Sequence, residues 1–227
     1  MDPALVSLLA ASLAFVGTHF AMSHPLRAPI VRLLGTGGFM GVYSIVSLAC
    51  MVWMARAFSA APPGGTGGMG ALGQVLWAGS SILTIPALVL FLGSVRANPA
   101  LPAPGAEEAA RAEPAGVFRV TRHPMMWGFA LWAAAHLLLF WSERTTIVAI
   151  AILVLALLGA HLQERKKRAL MGEDWTSWEA KTSYWPRWWR LGSAGPVLWG
   201  VAIVAWLAIT WAHQPIGYIP AGIWRWV

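Results

Sequence analysis

Charge is what this sequence has least of. Only 11% of its 227 residues are Asp, Glu, Lys or Arg, against about a quarter in an ordinary soluble domain. With 58% hydrophobic residues, too little polar surface remains to cover a water-soluble globule. Cysteine is nearly absent as well. Cys50 stands alone in an apolar stretch, which excludes an intrachain disulfide and the CxxC and Cys/His spacings of zinc sites. No Lys or Arg precedes the first apolar run, where Asp2 is the only charge. The basic leader of a cleavable signal is missing there, so the run reads as a retained helix. Internal repeats are also lacking. The net charge is +7, yet no basic face with interleaved aromatics accompanies it, and nucleic acid is not an expected partner.

What the chain does have is apolar blocks of the length that crosses a bilayer, about 20 residues. Six are expected: 4–22, 39–58, 72–95 with Pro86 as a kink, 124–141, 145–162 and 197–212. Pro124 suits the first turn of the fourth. The expected fold class is all-α: a polytopic membrane helix bundle forming one domain over residues 1–227, with lipid as its partner.

The cations sort by loop. Arg27, Arg32, Arg96, Arg111, Arg119, Arg122, Arg165, Lys166, Lys167, Arg168, Lys181, Arg187 and Arg190 fall on one side of six spans, and only Arg56, Arg144 and Arg225 on the other. This bias predicts cytoplasmic basic loops and an N-out/C-out topology. The Gly/Pro-rich stretch 60–73 reads as a flexible outer connection, and 98–114 as a mobile inner loop. Trp175, Trp178, Trp185, Trp188 and Trp189 crowd the last inner loop, as an anchor in the headgroup layer would.

Polar side chains at membrane depth are costly and need a reason. His19 and His24 lie near the inner end of the first span, His123 just before the fourth, His136 within it, His161 near the inner end of the fifth and His213 at the outer end of the last. An apolar slot with imidazoles from two helices suits haem; hydrogen bonds to a neighbouring helix are the alternative. His19 and His136 form one such pair. At 1.5 Å per residue they lie about 5 Å and about 18 Å from the inner boundary. Without tilting or a later helix start, His123 or His161 is the better partner for His19.

The stretch RVTRHP, Arg119 to Pro124, sets two arginines and a histidine at a helix N-terminus. Such a group attracts a phosphate, a carboxylate or a haem propionate, or simply anchors a basic loop. Glu164 either pairs with Arg165 or Arg168 on a solvated face or reaches Arg122 or His123 and closes a polar pocket. The motifs GEDW, 172–175, and KTSYWP, 181–186, follow it.

THFAMSHPLRAPIVRLLG, GVYSIVSLA, RVTRHPMMWGFALWAAAHLL and GEDW…KTSYWP together resemble the NnrU family, over nearly the whole chain and least between 60 and 115. That family includes the 15-cis-ζ-carotene isomerases. The resemblance implies a bacterial inner-membrane bundle holding haem b, with His19 and His136 as axial ligands. It implies that one ligand leaves the iron on reduction, freeing a Lewis acid for a cis double bond of a polyene. The family name carries a link to nitrogen-oxide metabolism, which implies instead a non-catalytic haem or sensor subunit. The first-helix element THFAMSH departs from the HSG-like form of the plant enzymes, and His24 is an additional histidine.

The RHP start, the following glutamate and the glycine-acidic-aromatic tail also resemble isoprenylcysteine-type methyltransferases. That likeness implies S-adenosylmethionine at the cytoplasmic face, held near His123, Glu164 and Trp175. His136 and KTSYWP favour the NnrU resemblance. Oligomeric state and natural substrate are not legible.

Overall fold

The computed structural model describes residues 2–63, 70–101, 105–139, 142–217 and 220–227. Among them every regular element is helical: α1 (Pro3–Ser23), α2 (Arg27–Ala60), α3 (Gly70–Gly93), α4 (Ala106–Arg111), α5 (Pro124–Leu139), α6 (Glu143–Met171), α7 (Glu173–Lys181) and α8 (Pro196–Gly217), with short 3-10 turns at Gly116–Arg119, Trp188–Ala194 and Gly222–Arg225. Five helices, α1, α2, α3, α6 and α8, are long and apolar enough to cross a membrane. The sixth, α5, has 16 residues and rises about 24 Å, against about 30 Å of hydrocarbon. Large side chains in mid-span face outward, Ile45 at 70% and Ile82 at 66% exposure. Such a surface is stable only in lipid. The chain is a polytopic helical membrane protein.

Two compact units make up the chain, residues 1–67 with 140–155, and residues 68–139 with 156–227. In the first, α1 and α2 run antiparallel: Trp53 donates its indole N–H to Ser7 (3.0 Å) while Ser47 lies opposite His19 (3.4 Å). Asp2 caps α1 by accepting from the Ala4 and Leu5 amides, which satisfies two of its orphan donors. Arg144 donates to the Phe58 and Ala61 carbonyls and stacks over Phe58 at 4.6 Å, a cation on the C-terminus of α2. The expected span 39–58 is only the later part of α2. Its earlier part, from Arg27, is broken off at Gly35, where φ is +70°, a left-handed conformation that favours glycine.

In the second unit α3 packs against both α5 and α8. Gly128 on α5 meets α3 so closely that a Cβ there would sit 2.8 Å from the Ala87 carbonyl oxygen. Trp206 on α8 donates to Thr84 on α3 (2.8 Å). A core of Val89, Leu90, Val117, Phe118, Val120, Trp175, Trp178 and Ala202 closes one end.

The structure departs from three further expectations. The fifth span continues nine residues past Leu162 to Met171, carrying Glu164 and the Arg165–Arg168 run as helix, because Leu, Gln, Glu, Arg and Lys all favour helix. The segment 98–114, expected to be a mobile inner loop, is helical over Ala106–Arg111. It holds α4, with Glu107 and Glu108 in the first turn and Arg111 in the last, the polarity a helix dipole favours, and Ala110 is fully buried. Trp175 and Trp178 are buried in the core, while Trp185, Trp188 and Trp189 are exposed. One helical face of α7 carries the first two inward. The outer connection expected at 60–73 lies outside the described residues from 64 to 69, as does 102–104 of the inner segment.

α4 is clasped to α7 by Arg111, which donates twice to Asp174 (2.9 and 2.7 Å), and Lys181 reaches Glu113 at 2.9 Å. The hydrogen bonds and charge of Arg111 hold the Asp174 carboxyl below the usual aspartate range. A carboxyl so lowered stabilises the fold above its unfolded pKa and loses that contribution as pH falls through its folded value. Amide exchange in α4 is therefore expected to rise below about pH 4, and Arg111→Gln to remove most of that acid sensitivity.

Candidate functional site

The clearest polar constellation lies where α5 begins. Arg122 donates through Nε and Nη2 to the two oxygens of Glu164 (2.7 and 3.1 Å), the bidentate geometry that guanidinium offers a carboxylate. His123 places Nε2 on Glu164 Oε1. Arg168 lies one turn along α6, 3.8 Å from the second oxygen, and itself pairs with Glu179 at 2.8 Å. The His123 side chain is fully buried, and those of Glu164 and Arg122 are 7% and 13% exposed. Glu164 thus reaches Arg122 and His123, with Arg168 as a peripheral partner. Arg165 on the same helix does not share it.

The fold holds this cluster by clipping two segments together. The Arg122 amide donates to the Ser183 carbonyl, and the Arg187 amide to the Val120 carbonyl, both at 2.8 Å. The Tyr184 carbonyl accepts from Thr121 Oγ1 (2.8 Å) and from the Trp127 indole (3.0 Å). RVTRHP and KTSYWP, distant in sequence, are therefore one structural element. Tyr184 and Trp175 flank the imidazole, their rings 5.6 and 6.3 Å from that of His123. Burial, then the Glu164 charge, pushes the Tyr184 phenol above its ordinary range. It stays protonated and donates to the Leu157 carbonyl (3.2 Å). Tyr184, Thr121 and Trp127 were not singled out from sequence, because a backbone carbonyl acting as a hub leaves no residue-type signature.

A carboxylate only accepts, so the proton facing Glu164 sits on Nε2 of His123. In a neutral ring Nδ1 would then carry the lone pair. It is buried with no hydrogen-bond partner among the described residues.

The other histidines follow a different pattern. His19 Nδ1 lies 2.7 Å from the Phe15 carbonyl, His136 Nδ1 2.8 Å from Trp132 and His213 Nδ1 2.8 Å from Ile209. A carbonyl cannot donate, so each of these rings carries its proton on Nδ1, and the neutral form offers its lone pair from Nε2. His19 Nε2 meets the Ser47 hydroxyl at 3.4 Å, a weak contact, and its ring packs on Phe15 and Tyr43 at 4.3 and 5.2 Å. The His136 ring lies 4.1 Å from that of Trp132. His24 is placed at the C-cap of α1, with Nδ1 3.3 Å from the Phe20 carbonyl. His161 is exposed on α6.

His136 falls in the last turn of α5, twelve residues after Pro124 or about 18 Å along the axis, and His19 lies four residues, about 6 Å, from the end of α1. Among the described residues no group of three or more His, Cys, Asp or Glu could hold a bare metal ion. Two imidazoles on a porphyrin iron do not require one.

The family model described as NnrU protein matches residues 7–221. No curated protein and no solved structure matches the chain.

Proposed function

The chain belongs to the NnrU family, and on that footing we propose that it is a haem b protein of the bacterial inner membrane with His19 and His136 as axial ligands. What supports the pair is imidazole geometry joined to the resemblance: His213 and His24 also place Nδ1 on the carbonyl one turn back, but His19 and His136 are the two at the positions the resemblance implies. In both residues the carbonyl one turn back holds Nδ1–H, which fixes the tautomer and leaves the lone pair on Nε2, as outer-sphere hydrogen bonds do for metal-bound histidine. His123 differs, since its Nε2 already faces Glu164. Haem b, when bound, supplies an iron whose axial positions, redox state and Lewis acidity the protein sets. The chain supplies orientation of each imidazole, Phe15 and Ser47 at His19 and Trp132 at His136. Arg122 and Glu164 answer each other's charge, so Arg122 is engaged with respect to a haem propionate and to S-adenosylmethionine alike.

The resemblance to the isomerase branch extends the proposal to cis–trans isomerisation of a carotenoid-like polyene, with the basic loops cytoplasmic. Cells given tri-cis ζ-carotene are expected to change its isomer ratio only when they carry this chain. An unchanged ratio with full haem loading would leave a non-catalytic haem or sensor subunit.

The ligands are tested by spectra of single variants prepared with ample haem. His19→Ala and His136→Ala are each expected to lose bound haem or its low-spin bands, while His161→Ala keeps both. Loss with His161→Ala but not with His136→Ala would overturn the pair.

A further inference from the structure

Four cations of this chain are answered by its own acids. Arg122 has Glu164, Arg111 has Asp174, Arg168 has Glu179 and Lys181 has Glu113. Arg119, Arg187 and Arg190 differ: among the described residues no carboxylate oxygen lies within 4 Å of them. They share one shelf. The 3-10 turn Trp188–Ala194 packs on the 3-10 turn Gly116–Arg119, joined by the Ser193 hydroxyl donating to the Gly116 carbonyl (2.8 Å) and the Arg187 amide donating to Val120 (2.8 Å). Three tryptophans project from the same shelf, Trp185 at 69%, Trp188 at 41% and Trp189 at 79% exposure. Trp127 of α5 supports two of them, ring to ring at 5.4 and 6.1 Å. The shelf lies where two apolar helices begin, α5 at Pro124 and α8 at Pro196.

An occupant of this surface has to be anionic, sit at the level of helix ends and offer an apolar body beside the indoles. We propose that the shelf binds an anionic phospholipid, with Arg119, Arg187 and Arg190 on its phosphate and Trp185, Trp188 and Trp189 along the glycerol and upper acyl chains. Weak charge attraction to any anionic bilayer would involve all exposed arginines alike. A built site depends on these three.

The test uses the full purified chain in detergent, with phosphatidylglycerol, phosphatidylcholine or inorganic phosphate as probes, read by native mass spectrometry and by melting temperature. Phosphatidylglycerol is expected to bind about tenfold more tightly than phosphatidylcholine. The triple variant Arg119→Gln/Arg187→Gln/Arg190→Gln is expected to lose the preference. A charge-matched control, Arg32→Gln/Arg96→Gln/Arg165→Gln, removes three other exposed arginines and is expected to keep it. Arg119 also donates to the Pro114 carbonyl, so Arg187→Gln/Arg190→Gln guards against misfolding and is expected to lose most of the preference. Equal losses in shelf and control variants, an unchanged preference in the shelf variants, or full competition by inorganic phosphate at matched concentration would overturn the proposal.

Discussion

Glu164→Ala is expected to unfold the end of the molecule where α5 begins, at a cost of about 3–5 kcal/mol, the range for breaking a buried ion pair. One carboxylate serves the Arg122 guanidinium twice and the His123 imidazole once. Removing it strands a positive charge at 13% exposure beside a fully buried ring. Glu164→Gln keeps the shape and an acceptor, and is expected to lose less than half as much. Arg122→Ala leaves a carboxylate whose remaining cation is the outlying Arg168, and should fall between the two. A denaturation series in detergent checks the order, and a double-mutant cycle on Arg122 and Glu164 should give strong coupling. Independent, small effects would mean that water screens the cluster.

Gly128→Leu is the second large effect. The Cβ at this position would lie 2.8 Å from the Ala87 carbonyl oxygen and 3.2 Å from the Phe91 amide nitrogen. Both are backbone atoms of α3 and cannot turn aside as a side chain can. Relief requires α3 and α5 to separate, which also breaks the Phe91–Phe129 ring contact at 5.3 Å. A loss of about 3 kcal/mol is expected, at the upper end for overpacking. Gly79→Ala on α3 meets nothing within 4 Å and is expected to be neutral or slightly stabilising through helix propensity. Thermal melts of both variants test the comparison. A Gly128→Leu protein melting like the parent would show that α3 and α5 do not cross this tightly in the membrane.

Much of the fold was legible because hydropathy is a one-dimensional property. The apolar runs 4–22, 72–95 and 197–212 differ by only a few residues from α1, α3 and α8. Long-range pairing is not one-dimensional. Trp175 and Trp178 carry the same residue type and similar neighbours as Trp185 and Trp189, and only the docking of α7 separates core from surface. The break at Gly35 was invisible because Gly37, Gly38 and Gly41 stand close by, and composition does not single out which glycine adopts a positive φ. For the site, sequence supplied Glu164, Arg122 and His123 as candidates and left the pairing open between Arg165, Arg168 and the RHP element. Folding decided it because KTSYWP lies over RVTRHP through backbone hydrogen bonds, which residue identity does not encode. The histidines were visible as anomalies of burial, whereas the Nδ1 bonds that orient His19 and His136 needed coordinates.

Ligation of haem b by His19 and His136, as proposed, is tested by the absorption spectrum of the parent protein, purified with ample haem and recorded oxidised and reduced. A Soret band that shifts and sharpens on reduction, with the visible bands of a low-spin bis-imidazole iron, is the predicted result. A colourless, folded protein under the same conditions would rule out haem binding.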